Sequence, residues 1–214
     1  MNRPKRKVRG TQSLSSASRF AASEPLFDVR LISRADIHAY LQFAQRLSPG
    51  TRYFRFGRGD FDVDDRHAAM LCELTAENGT HYIAAARDHP GGLILGSAFY
   101  IVLCDHASCE FAIVVDDAWR DQGVGSRLMN RLVAHASEQG LKTMVGRVLA
   151  TNESMFAFAQ VHDFRVAQED AGASIRTVVC DLQRRRIERK DVTSIGDHQT
   201  LFGDLPPIRI AESQ

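Results

Sequence analysis

Apolar positions along this chain repeat with two different periods, and their alternation predicts a mixed α/β domain. Val124, Leu128, Leu132 and Ala136 recur every fourth residue, which is the spacing of an amphipathic helix. Residues 111–115, shortly before them, form a continuous apolar run typical of a buried strand. The chain therefore passes from strand to helix through a short segment that contains two glycines.

The same patterns predict elements along most of the chain. The predicted strands are 26–32, 81–87, 93–103, 109–115, 143–149, 164–168 and 176–182. Helices are predicted at 34–47, with Ser33 as N-cap, at 64–74, after the glycines as far as Gly140, and at 152–162. We expect residues 48–50, Ser-Pro-Gly, to break the first helix ahead of an aromatic segment at 51–56.

Composition and charge narrow the class of protein. The 214 residues are 44% hydrophobic and 25% charged, which is typical of one soluble globular domain. The net charge of +1 gives no general attraction to nucleic acid, and no apolar run has the length of a membrane span. The four cysteines form no Cys-x-x-Cys pair, so we expect no metal site and reduced thiols in a cytoplasmic protein.

Both ends of the chain differ from its middle. Residues 1–24 are basic and serine-rich, and we predict a disordered tail there, although such a start also resembles an organelle transit peptide. Residues 183–214 are predicted to be a second, polar tail. The folded domain is therefore expected at 25–182, as a monomer or homodimer.

The glycine segment is the main candidate for a binding site. Residues 120–126 read Arg-Asp-Gln-Gly-Val-Gly-Ser and lie between a strand and the start of a helix. The free N–H groups and the dipole of a helix start favour an anion. A P-loop is excluded because no Gly-Lys-Ser/Thr follows, and a dinucleotide fingerprint is incomplete because Leu128 stands where its third glycine would be. An acyl-CoA site and a simple tight turn remain.

Several motifs resemble the GNAT N-acetyltransferase superfamily. Residues 120–125 match the Gln/Arg-x-x-Gly-x-Gly/Ala pattern of its motif A. The Asn-led helix from Asn152 runs into Asp163-Phe164, where the family has Gly-Phe. Residues 48–56 and the Glu-Phe-Ala at 110–112 are similar to the bacterial Pat-type protein lysine acetyltransferases. The resemblance implies the GNAT fold, a mixed, mostly antiparallel twisted sheet of about seven strands flanked by about four helices.

The resemblance also implies acetyl-CoA as co-substrate and a set of residues that bind it. The pantetheine arm would hydrogen-bond to the backbone of Ile113, Val114 and Val115, and the pyrophosphate to N–H groups of the glycine segment. Arg120 would add a charged contact. The cofactor-binding residues expected in this way are Ile113, Val114, Val115, Arg120, Asp121, Gln122, Gly123, Val124, Gly125, Ser126 and Asn152.

Glu110 is the candidate general base. An acceptor amine must lose a proton before it attacks, and Glu110 lies in an apolar strand on the same face as Ala112 and Val114. A carboxylate that faces solvent or pairs with an arginine would explain it as well. Many GNAT enzymes have a tyrosine as general acid, but the matching position is Ala159.

Two functions remain open at this point, and a third, nucleic-acid binding, rests only on the basic N-terminal tail. One is an acetyl-CoA-dependent N-acetyltransferase that acts on a protein lysine or a small amine by direct transfer in a ternary complex. The other is a non-catalytic acyl-CoA-binding regulatory module. The acidic residues Asp62, Asp64 and Asp65 would attract a cationic acceptor, although charge placement at a helix start explains them about as well. Neither nucleic acid nor a membrane is an expected partner.

Overall fold

The described part of the chain comprises residues 26–56, 63–75, 77–87, 89, 92–167 and 173–184 of a computed structural model. The predicted N-terminal tail and residues 185–214 of the predicted C-terminal tail lie outside these ranges, as does Asp62 of the acidic cluster.

Seven strands in the described residues form one sheet. They are β1 (Phe27–Leu31), β2 (Gly79–Ala86), β3 (Ile94–Val102), β4 (Ser108–Val115), β5 (Thr143–Leu149), β6 (Arg165–Val166) and β7 (Ile175–Asp181). Their order across the sheet is β1-β2-β3-β4-β5-β7-β6. Every neighbouring pair is antiparallel except β4 and β5, which are parallel. The predicted mixed, mostly antiparallel sheet is confirmed.

Five α-helices of eight residues or more in the same residues cover the sheet. They are α1 (Ile37–Arg46), α2 (Pro49–Phe56), α3 (Asp65–Cys72), α4 (Val124–Glu138) and α5 (Glu153–Val161). The α1 and α3 helices contribute to a buried cluster on one face of the sheet, and α4 and α5 to a larger cluster on the other. No helix in the described ranges is both long and apolar enough to cross a bilayer.

The apolar stripe of α4 explains why this helix forms and where it lies. Leu128 and Leu132 are fully buried against the sheet. Burial of each leucine side chain stabilises the fold by roughly 1.5–3 kcal/mol. The helix ends two residues before Gly140, whose φ of 81° reverses the chain so that the Leu141 N–H donates to the Ala136 carbonyl at 3.1 Å.

The structure differs from the prediction in the first two helices. The first helix does end at this segment, since α1 stops at Arg46 and Leu47 is extended, but the break is shorter than predicted. Pro49 already occupies the first position of α2, where a missing N–H costs nothing. The Ser48 hydroxyl accepts the Thr51 N–H at 3.2 Å, as an N-cap does. The helix predicted at 34–47 is a 3₁₀ turn at 34–36 followed by α1. The α2 helix was not predicted and adds a fifth helix to the four expected.

Candidate active site

The sheet opens where its two parallel strands meet. β4 and β5 pair only through Ser108–Glu110 and Thr143–Val145, and beyond these residues both strands line a cleft of about 690 Å³. At the point where the strands separate, the Phe111 ring lies directly against the Gly146 backbone, since a Cβ at Gly146 would lie 2.3 Å from the ring. The ring of Phe111 thus requires a glycine opposite it on β5.

The edge of β4 in the cleft carries free backbone groups. The Asp116 N–H donates to the Leu95 carbonyl at 2.9 Å. Together with the register of β3 and β4, this bond identifies the β4 residues that are hydrogen-bonded to β3. Since antiparallel bonding alternates, Val114 pairs with β3, while the N–H and C=O groups of Ile113 and Val115 point towards the cleft. Ile113 and Val115 can therefore pair with an extended ligand, and the buried Val114 contributes packing only.

The start of α4 lies at the far end of the same cleft. Its N-cap is Gly123, with a φ of 79°, and no side chain caps the helix. Since the Arg127 N–H donates to the Gly123 carbonyl at 3.0 Å, the N–H groups of residues 124–126 lie before the first intrahelical bond. By contrast, Asp64 caps α3 and Asn152 caps α5. An anion could take the place of the missing cap.

The remaining residues of the glycine segment have distinct positions. Gly123, Gly125, Ser126 and the exposed Asp121, whose φ is 58°, line the cleft. A Cβ at Gly125 would lie 3.3 Å from Phe158 and 3.5 Å from Val115, so a larger side chain would narrow the cleft.

Two residues of the segment point away from the cleft. The Val124 side chain is buried in the core, so only its backbone can reach a ligand. The Gln122 side chain donates to the Ala118 carbonyl at 3.0 Å and does not line the cleft.

A polar network holds Arg120 at the mouth of the cleft. Its guanidinium contacts Asp117 at 2.8 Å and donates to the Thr51 hydroxyl. Asp117 also accepts the Ser48 N–H at 3.0 Å. Burial alone would raise the pKa of Asp117, but the hydrogen bonds from Ser48 and Thr51 and the charge of Arg120 lower it. Sequence reasoning missed Asp117, which ties α2 to the glycine segment.

Glu110 lies at the opposite end of the cleft, on the face of the sheet that α2 covers. It is half-buried and precedes Ala112, its neighbour on that face, by two residues. Arg55 of α2 places its guanidinium 5.1 Å from the ring centre of Phe99, which pairs with Ala112. Burial lowers the pKa of Arg55, and the nearby Tyr40 and Glu110 partly offset this. An arginine beside Glu110 was one of the alternatives that the sequence left open.

The chain is similar to known acetyltransferases in sequence and in fold. The sequence profile of the Acetyltransferase (GNAT) family matches residues 42–164, more than half of the chain. This chain belongs to the GNAT acetyltransferase family. It is 26% identical over 155 residues to an acetyltransferase of Pseudomonas aeruginosa, covering 67% of this chain and 83% of that protein.

Solved GNAT structures have the same fold. The GNAT domain of S. lividans PAT aligns with a TM-score of 0.65 at 19% identity, over 72% of this chain and 90% of that one. The yncA protein of Salmonella typhimurium, solved with its cofactor acetyl-CoA, aligns with a TM-score of 0.57 at 16% identity, over 73% and 94%. The ribosomal-protein-S18-alanine N-acetyltransferase of Escherichia coli aligns at 0.52 and 16%, over 72% and 90%.

The position of the expected GNAT general acid holds no acid. Ala159 is buried, and the neighbouring Phe158 lines the cleft instead. No tyrosine, histidine or cysteine occurs among the described residues that line the cleft. Among the lining residues within the described ranges, Glu110 is the one carboxylate besides Asp121 of the glycine segment.

Asn152 combines a structural position with access to the cleft. Its Oδ1 accepts the Met155 N–H at 3.2 Å and the Ser154 hydroxyl at 2.9 Å, so it is the N-cap of α5. At the other end of α5, Asp163 has a φ of 60°, the left-handed conformation for which the GNAT glycine at this position is suited.

Proposed function

We propose that this GNAT protein is an N-acetyltransferase that moves an acetyl group from acetyl-CoA to an amine by direct transfer in a ternary complex. The observation that carries the proposal is the cleft between β4 and β5, with the uncapped start of α4 at one end and Glu110 at the other. Val115 lies five positions after Glu110 on β4, which corresponds to roughly 17 Å of extended strand. A long, narrow ligand with an anionic end and a reactive end fits this arrangement.

The residues present suit acetyl-CoA. In this proposal the N–H groups of Val124, Gly125 and Ser126 bind the pyrophosphate, since they have no capping side chain. The backbone of Ile113 and Val115 hydrogen-bonds to the amides of the pantetheine arm, as an added strand would. Acetyl-CoA supplies the activated acetyl group, and the protein supplies position and proton transfer.

Glu110 is proposed to accept a proton from the acceptor ammonium, directly or through a water. Free lysine has a pKa of about 10.4, so the amine is protonated near neutral pH and needs such a base. Since the lining residues in the described ranges include no tyrosine, histidine or cysteine, the departing thiolate would take its proton from water. The acceptor is a protein lysine or a small amine.

The absence of tyrosine, histidine and cysteine from the described lining, and so of a usual general acid for the thiolate, favours one second candidate, a non-catalytic acyl-CoA-binding module. Such a protein would bind acetyl-CoA in the same cleft without turnover. Measurement of CoA release with a panel of amines separates the two, because only the enzyme releases CoA faster than the uncatalysed reaction.

Calorimetric titration with acetyl-CoA tests the binding site. Gly125→Val should abolish or strongly weaken binding, because the side chain narrows the cleft beside Phe158 and Val115. Gly50→Val is the matched control, since a Cβ there meets only the Ser48 hydroxyl at 3.9 Å. If wild type does not bind acetyl-CoA, both candidate functions fail.

The role of Glu110 is tested by the Glu110→Gln variant. A general base contributes about 10²–10⁴-fold, so kcat/KM for the acceptor should fall by that order while acetyl-CoA affinity is retained. Glu138→Gln, an exposed site at the end of α4, is the control for loss of one carboxylate. An unchanged kcat/KM across the pH range would exclude Glu110 as the base.

A further inference from the structure

Arg147 lies on the acceptor side of the cleft. Met144 and Val148 of β5 are buried in the cluster beneath α4 and α5. Because side chains alternate between the two faces along a strand, Arg147, one position before Val148, points to the opposite face of the sheet. Val145 pairs with Glu110 in the parallel ladder, which puts Glu110 and Arg147 on the same face. Arg147 is exposed and lines the cleft two residues beyond this pair.

The charges of the cleft leave Arg147 uncompensated. The cationic residues lining it in the described ranges are Arg55, Arg120 and Arg147. Arg120 pairs with Asp117, and Arg55 interacts with Glu110. The Arg147 side chain makes no hydrogen bond or ion pair with any residue that the structure describes. The wall beside the proposed base therefore carries a guanidinium that is available to a ligand.

A guanidinium in this position selects among amines. It repels a second positive charge, and it binds a carboxylate through two parallel hydrogen bonds. Arg147 lies two residues along β5 from Val145, the partner of Glu110, and two residues of a strand span roughly 7 Å. The amine that reacts beside Glu110 and an anion bound by Arg147 would therefore be separated by a distance of this order. We infer that the acceptor is an amine that also carries a carboxylate at about this separation, and that Arg147 binds the carboxylate. This inference rests on the proposed function and narrows its substrate class.

Matched ligands test the inference. The first set contains ω-amino acids of two to six carbons and the corresponding carboxamides, which have nearly the same shape without the charge. The second set contains a short peptide in which lysine is followed by aspartate, and its asparagine counterpart. Affinity for the CoA-saturated protein is measured by calorimetry, and kcat/KM is measured by CoA release. The two sets distinguish a free amino acid from an acidic peptide as the source of the carboxylate.

Wild type should prefer the carboxylate member of at least one set by about tenfold or more, as expected for a charge-assisted contact. Arg147→Gln should bring this ratio close to one and leave acetyl-CoA affinity unchanged, and Arg147→Lys should retain part of the preference. Arg165→Gln, at an exposed arginine of β6 away from the cleft, should behave as wild type.

Three results would overturn the inference. They are equal or absent binding of the charged and uncharged members, a preference that persists in Arg147→Gln, and a loss of acetyl-CoA affinity in that variant, which would assign Arg147 to the cofactor phosphates. Failure of the proposed function is a separate result, because it is seen in wild type alone as a lack of acetyl-CoA binding.

Discussion

The contact between Gly146 and Phe111 makes a quantitative prediction for Gly146→Ala. The added Cβ would lie 2.3 Å from Cε1 and 2.6 Å from Cζ of Phe111, far inside the ordinary carbon separation of about 3.5–4.0 Å. The Phe111 ring is 6% exposed and lies 5.0 Å from the ring of Phe164, so it has little room to move. Overpacking of this kind typically costs about 1–3 kcal/mol.

Thermal unfolding of the purified variant measures this cost. A domain of this size loses roughly 2–4 °C in Tm per kcal/mol, so we expect a drop of about 2–12 °C for Gly146→Ala. Gly50→Ala makes the same chemical change in the first turn of α2, where the new Cβ meets nothing closer than 3.9 Å. It should be neutral or stabilise the protein by up to about 1 kcal/mol through helix propensity.

A second-site variant tests whether the ring is the cause. Phe111→Leu removes Cε1 and Cζ, the two atoms that the Gly146→Ala Cβ would approach most closely. The double variant should therefore lose less stability than the sum of the single variants, by about 1 kcal/mol or more. Strictly additive losses, or a Gly146→Ala protein as stable as wild type, would refute the steric reasoning.

Three further predictions concern stability. Burial lowers the pKa of His81 to about 4, so the folded protein should lose stability as pH falls from about 6.5 towards 4, by at most roughly 1.4 kcal/mol per pH unit. Urea unfolding should show a flatter pH dependence for His81→Gln. The hydrogen bond from Arg30 lowers the pKa of Asp36 to about 2, against the effect of burial. Asp36→Asn should cost about 1 kcal/mol at pH 6 in the same assay, allowing for screening, and the difference from wild type should shrink below about pH 4. Gly140→Ala should lower stability by about 1–2 kcal/mol in thermal unfolding, since its φ is 81° and nothing lies within 4 Å of the new Cβ.

Local patterns predicted the elements that have strong periodicity and clear ends. The strand at 143–149 has the predicted bounds, and the helix after the glycines ends close to Gly140 as expected. Both have a dense apolar pattern that is bounded by turn residues, so their signal does not depend on distant parts of the chain.

Pairing between distant segments left no such signal. β7 lies between β5 and β6, although β6 precedes it in the chain, and β6 has only two residues. The α2 helix was missed because Pro49 and Gly50 are typical of both turns and helix starts. The hydrogen bond between Ser48 and Thr51 distinguishes the two, and it exists only once the backbone is helical.

The candidate site also has residues that local sequence predicted and residues that only the assembled fold reveals. The glycine segment and Glu110 belong to short motifs, so their residue types alone pointed to them. Arg55, Asp117 and Arg147 become meaningful only when α2, β4 and β5 are assembled around one cleft. A signal was present for Arg147, which is the one charged residue in the predicted strand 143–149. Its direction relative to Glu110 required the register of the parallel pair.

The short parallel ladder between β4 and β5 has a mechanical consequence. It divides the sheet into a unit of β1 to β4 and a unit of β5 to β7, joined in the plane of the sheet by three residue pairs. A ligand that lies between β4 and β5 and contacts both strands would link the two units of the sheet. Amide hydrogen exchange should therefore slow in both units when acetyl-CoA binds, including in β7, which lies beyond the strand that borders the cleft.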